Sequence, residues 1–137
     1  MFVSVPTRTR PTLRWATPLL AALLWAAFLW AQSRSDDSLR ALMLDWGALA
    51  GDPFLTSGWQ AWADPWRWLR LFTALFLHAD WAHLLGNLVF LLIFGLPAER
   101  TMGPWRFLVL FLLGGAFSNL AAALSIGAPD RVIIGAS

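Results

Sequence analysis

The sequence predicts an all-α fold, a polytopic membrane helical bundle with three full spans and the start of a fourth. Three observations carry that prediction. Only 13% of the residues are charged and 58% are hydrophobic, with a mean hydropathy of +0.60, whereas soluble domains carry about 25% charged residues. The apolar residues gather into runs at about 13–32, 82–98 and 105–126, and a span needs roughly 20 apolar residues. A further apolar start, Val132-Ile133-Ile134, follows the third run. Tryptophan, present ten times, flanks the runs at Trp15, Trp30, Trp81 and Trp105, where interfacial belts are expected.

The first run follows Arg8, Arg10 and Arg14. A basic start before an apolar run also describes a signal peptide. This run, however, is long, contains bulky Trp25, Phe28 and Trp30, and ends in Gln32-Ser33-Arg34 rather than in small residues. It reads as a span, with Pro18 in its first turns, where proline is best tolerated.

Residues 33–81 form a long outer connection. Its tryptophans, leucines and phenylalanines make it too apolar for a solvated linker. Long connections in compact proteins are functional or carry structure of their own. Leu39, Leu42, Met43 and Trp46 lie at helical spacing, so a short helix is expected over 38–50. The whole segment is expected in the interface, as an amphipathic hairpin or a set of short helices. Gly51-Asp52-Pro53 and Asp64-Pro65 are turn signals.

The second span is apolar all round, a pattern found in membrane spans and deeply buried helices. It closes near Pro97-Ala98-Glu99-Arg100, and Gly103-Pro104 turns the chain into the third span. So short a link makes the two spans antiparallel neighbours. Gly114, Gly115 and Ala116 let helices approach closely in lipid, and Asn119 is placed for an interhelical hydrogen bond. If all three runs cross, the N-terminal arginines share one side with Arg100 and Arg106, and the positive-inside rule makes that side cytoplasmic.

The polar residues inside this apolar frame point to chemistry. His83 and Asn87 are four apart, on one face of a helix. In hydrocarbon such groups need partners or a wet cavity. Ser137 ends Gly135-Ala136-Ser137, near the same outer end as His83. A G-x-S at a loop-to-helix junction sets a hydroxyl beside the free N–H groups of a helix start, which can bind a developing oxyanion. These are the parts of acyl transfer by a serine nucleophile, apart from a general base. Taken alone, G-x-S is also a common structural motif, and Asn87 also reads as glue between helices.

The run Arg70-Leu-Phe-Thr-Ala-Leu-Phe-Leu-His78-Ala-Asp-Trp-Ala-His83-Leu-Leu-Gly-Asn87, then Glu99-Arg100, Gly103 and Gly135-Ala136-Ser137, resembles the rhomboid family of intramembrane serine proteases. The likeness covers about residues 65–137, in order and spacing. It implies a partial rhomboid domain over 1–137, in a multi-pass protein of the plasma (inner) membrane with its N-terminus cytoplasmic. It implies Ser137 as nucleophile, and His83 and Asn87 as oxyanion stabilisers. It implies structural roles for Arg70, here preceded by Leu69 where the family has tryptophan, and for Glu99. The implied substrates are transmembrane proteins, cleaved where their helices unwind. The family's general-base histidine and the glycine after the serine have no counterpart in the sequence. The expectation is therefore the N-terminal part of a longer rhomboid, inactive alone.

Two other functions fit the same residues: a non-catalytic rhomboid-like protein that binds membrane clients, and a transporter or channel fragment using His83, Asn87 and Asn119 as a polar path. His78 reads as a loop-ordering residue, and Asp80 and Asp130 as turn or cap residues. The absence of cysteine excludes disulfides and thiol chemistry. Two histidines fall short of a zinc set, so neither metal nor cofactor is expected. A net charge of +2 without a basic stripe gives no footprint for nucleic acid. The bilayer itself is the expected partner.

Overall fold

The computed structural model describes residues 13–49, 63–125 and 132–133. In it α1 is Ala16–Gln32, α2 Asp36–Trp46, β1 Ala48–Leu49 and α3 Pro65–Thr73, the last continued by a 3₁₀ turn, Ala74–Phe76. Next, α4 (Trp81–Phe90) runs through a π turn, Leu91–Gly95, into α5 (Leu96–Met102). The remaining elements are α6 (Pro104–Ser125) and β2 (Val132–Ile133). The chain is helical apart from the two-residue antiparallel pairing of β1 with β2, which sets Ala48 against Ile133 and Leu49 against Val132.

Trp81–Met102 and Pro104–Ser125, each of 22 residues, are long and apolar enough to cross a membrane. At 1.5 Å per residue each covers about 33 Å, against a hydrocarbon core of about 30 Å. Only 28% and 22% of their apolar windows are buried within the chain, whereas a helix this apolar in a soluble protein would be mostly buried. Leu85, Val89, Ile93, Val109, Leu113 and Phe117 all face outward. The first predicted span is a shorter apolar helix of 17 residues.

α1 packs through one stripe. Ala16, Leu20, Leu24 and Phe28, four apart, are at most 1% exposed and meet Leu84, Leu88 and Leu91 of the second helix and Phe107 of α6. That spacing places one row of side chains along one face. Phe28 meets Trp81 edge-on, with ring centroids 4.6 Å apart, at one end, and Trp15 meets Trp105 at 4.8 Å at the other. The end of α1 is therefore level with the start of α4, and the start of α1 with the start of α6.

The lower junction is fastened by Glu99, which is fully buried. Its two oxygens accept from the backbone N–H groups of Ala16 and Thr17, each at 2.9 Å. The first N–H groups of a helix have no partner within it, and the helix dipole favours an anion there. Gly103 turns the chain between α5 and α6 at φ 85°, a backbone conformation that side chains other than glycine seldom adopt. The π turn has a cause in Pro97: two residues past Gly95, it has no N–H to give to Ile93, and its ring crowds that carbonyl.

Three sequence expectations need correction. The short helix of the connection is Asp36–Trp46 rather than 38–50, because Gly47 leaves the helical conformation with ψ 157°. The second helix is longer than 82–98, since Pro97 is absorbed by the π turn instead of ending it. α3, within the connection expected to hold a hairpin or short helices, is capped by Asp64, which accepts from the N–H of Trp66 at 3.0 Å, with Pro65 in the first turn. Val132 does not begin a helix: Val132–Ile133 is extended and paired to β1, as suits a β-branched run.

Candidate functional site

The site is built where the connection returns to the bundle. α3 lies across α6, and Asn119, 3% exposed, donates from Nδ2 to the carbonyl of Leu71 at 2.9 Å. An added Cβ at Gly115 would lie 2.5 Å from Cδ2 of Leu75, so glycine permits the 3₁₀ turn to seat against α6. Arg70 donates to the carbonyls of Leu44 and Gly47, the second at 2.8 Å, and Thr73 Oγ1 donates to the carbonyl of Trp46 at 2.6 Å. These bonds tie the end of α2 to α3. They also satisfy carbonyls that a helix end leaves unpaired.

From that anchored turn the chain runs through Leu77 and His78 to Asp80. Asp80 caps α4, its carboxylate accepting from the N–H of His83 at 2.9 Å. His83 and Asn87 therefore stand one turn apart on one half-buried face of α4. His78, 2% exposed, lies beneath them: Asn87 Nδ2 is 2.9 Å from His78 Nε2, and the two imidazole centroids are 5.1 Å apart. His78 Nδ1 faces the Phe76 carbonyl at 3.4 Å. A carbonyl only accepts, so the proton belongs on Nδ1, and Nε2 accepts from the amide of Asn87. Burial, and then the neighbouring His83, push the His78 pKa below the ordinary histidine value, against a smaller upward pull from the Phe76 carbonyl. The neutral ring is the form this pair of hydrogen bonds requires.

Asn87 also lines a groove of about 340 Å³ between the two long helices, otherwise walled by apolar side chains such as Phe90, Phe94, Leu110 and Phe111, with Gly114 opposite. Chemically, the arrangement is an imidazole and an amide one turn apart on one helix face, the amide lining an apolar cleft and held by a buried imidazole. Donors fixed in a low-dielectric site are what a developing negative charge requires. Among the described residues no group of three or more His, Cys, Asp or Glu comes together to hold a metal ion.

The structure brings together two of the three predicted site residues, His83 and Asn87. Ser137 lies outside the described residues. His78, read from sequence as ordering its loop, does so, and it also holds the amide of Asn87. Nine residues separate the pair, so helical periodicity could not link them; the contact depends on the turn before α4.

Comparison with known proteins identifies the family. The Rhomboid domain family profile matches residues 65–137, just over half of the chain. Rhomboid-like protein 11, chloroplastic, of Arabidopsis thaliana is 39% identical over 72 residues, covering 47% of this chain and 26% of that protein. Rhomboid-like protease 3 of Toxoplasma gondii is 43% identical over 65 residues, covering 43% of this chain and 25% of that protein. RHOMBOID-like protein 5 of Arabidopsis thaliana is 32% identical over 71 residues, covering 52% and 23%. The chain spans about a quarter of the length of these curated relatives. No solved structure matches. The chain belongs to the rhomboid family.

Proposed function

We propose that this chain carries the nucleophile and the oxyanion site of an intramembrane serine endopeptidase acting on transmembrane proteins. The observation that carries the reading is the paired face of α4: His83 and Asn87 one turn apart, with the amide of Asn87 held by His78 and opening on an apolar groove. Ser137 Oγ would attack the scissile carbonyl, and His83 and Asn87 would donate to the oxygen as it becomes an anion.

Ser137 lies four residues beyond Ile133, within about 14 Å of chain reach. Ile133 in turn is paired to Ala48 in the connection that leads to α3.

In this reading α1 and the two 22-residue helices all cross the plasma membrane. The N-terminus and the Arg100–Arg106 link are cytoplasmic, by the positive-inside rule. Proton removal from Ser137 needs a base within about 3 Å. His78 is occupied on both nitrogens, and His83 is assigned to the oxyanion, so neither serves. The 137 residues alone are accordingly inactive, and turnover requires a histidine from a further helix.

The test is hydrolysis of a transmembrane peptide in detergent. No turnover is expected from the 137-residue chain, while a longer chain supplying that histidine is active and loses activity in Ser137→Ala. Turnover by the 137-residue chain, abolished in Ser137→Ala, contradicts the assignment of the base. Activity of the longer chain that survives Ser137→Ala contradicts the nucleophile.

A further inference from the structure

We propose that the cleft between α1 and α2 holds a single phospholipid bearing both a phosphate and a primary ammonium group, a phosphatidylethanolamine. The inference is independent of the peptidase reading.

Two contiguous cavities form the cleft, sharing Trp30, Leu42 and Trp46 as walls. One, of about 290 Å³, is edged by Arg34, Ser38 and Asp45. The other, of about 270 Å³, is walled by Ala27, Phe76 and Leu77 and is almost wholly apolar. Along α1 the order from Arg34 through Trp30 to Ala27 descends about 10 Å, at 1.5 Å per residue. The polar compartment therefore sits at headgroup level, and the apolar one reaches toward the acyl region. A lipid has that same order of chemistry.

The charges choose the headgroup. The Arg34 guanidinium is stacked 4.5 Å from the centroid of the Trp30 ring, and among the described residues no carboxylate lies within ion-pair distance of it. It is set to bind a phosphate in a fixed plane. Asp45 edges the same compartment. The nearby Arg70 acts on it through space, but its guanidinium donates to the Leu44 and Gly47 carbonyls. A carboxylate in the compartment disfavours a headgroup with only negative charge. It favours one that also offers an ammonium N–H, which a trimethylammonium lacks. Ser38, whose hydroxyl accepts from Ser35 at 3.0 Å, keeps its own proton to donate to a phosphate oxygen. The edge-on contact of Trp46 with Trp66, at 4.8 Å, steadies the shared wall.

The experiment extracts the full chain from bilayers containing equal parts phosphatidylethanolamine, phosphatidylcholine and phosphatidylglycerol. Retained lipid is then counted by native mass spectrometry. One phosphatidylethanolamine per chain is expected, preferred over each competitor by roughly fivefold or more, the order of one charged contact at the surface. Asp45→Asn, an exposed change that leaves the packing alone, should keep a bound lipid and lose the preference. Leu42→Trp, which fills the shared wall, should remove the bound lipid. Equal retention of the three lipids, a preference for phosphatidylglycerol, or an unchanged preference in Asp45→Asn would each overturn the proposal. If Leu42→Trp does not fold, Asp45→Asn decides the matter by itself.

Discussion

The two ends of the bundle are built on different principles. At the arginine-bearing end, α1 begins, α5 ends and α6 begins around one buried carboxylate, Glu99, with Trp15 against Trp105 and Gly95 beside Phe107. An added Cβ at Gly95 would lie 2.9 Å from the Phe107 ring. This end is dense, and its polar atoms serve backbone that would otherwise be unpaired. At the histidine end His83 and Asn87 stand one turn apart on a half-buried face, and Asn87 lines the upper part of an apolar groove that runs between the helices down to Ala98 and Phe107. The contrast shows how a small membrane bundle can carry a polar site. At one end a buried carboxylate ties the helix starts together, and at the other a turn seated on α6 positions polar side chains.

That contrast can be broken most directly at Glu99. Glu99→Ala leaves two buried N–H groups of α1 without acceptors, and should cost about 3 kcal/mol, read as a fall in the thermal midpoint in detergent. Glu99→Gln, which keeps one acceptor oxygen, should recover part of the loss. A neutral Glu99→Ala would mean that α1 is held by its apolar stripe alone. Next in size is Gly115→Val, which drives a side chain into Leu75 and should cost about 2 kcal/mol. Leu75→Ala added to it should restore part of the loss, because the two sites are in contact. Asn119→Ala should cost about 1 kcal/mol, with the change confined to amide exchange around α3.

Smallest is a pH effect at the histidine end. The pKa of His78 is lowered in the fold relative to an ordinary histidine value of 6.5. The unfolded chain therefore takes up the proton first as pH falls, and stability rises with pH through this window. The contribution is complete above about 6.5 and is lost as pH falls through the lower folded value. His78→Gln, which offers an amide that does not titrate, should flatten that dependence. A slope unchanged in His78→Gln would place the titrating group elsewhere.

The fold was legible where local pattern decides it. The composition, the helices around the apolar runs and the tight Gly103-Pro104 link all follow from residues near in sequence. The polar positions His83, Asn87 and Asn119 were legible because polar side chains in an apolar run need a reason. What stayed hidden depends on distant contacts. Glu99 reaches the start of α1 across 83 residues. β1 meets β2 across a similar separation, and nothing in Ala48-Leu49 announces a partner. Pro97 read as an end to its helix; instead the turn before it widens to the π form and the helix runs on to Met102. The partnership of His78 with Asn87 needed a turn whose seat on α6 depends on a missing Cβ at Gly115.

The most direct test asks where Ser137 lies relative to α4. The sequence contains no cysteine, so paired cysteines report without background. The account predicts that Ser137→Cys combined with Asn87→Cys is joined rapidly by a short bifunctional methanethiosulfonate in membranes. Ser137→Cys with Arg100→Cys should not be joined, since Arg100 is 13 residues and about 20 Å further along the helix. Joining to position 100 in preference to position 87 would set the hydroxyl at the Glu99 end of the bundle and contradict the account.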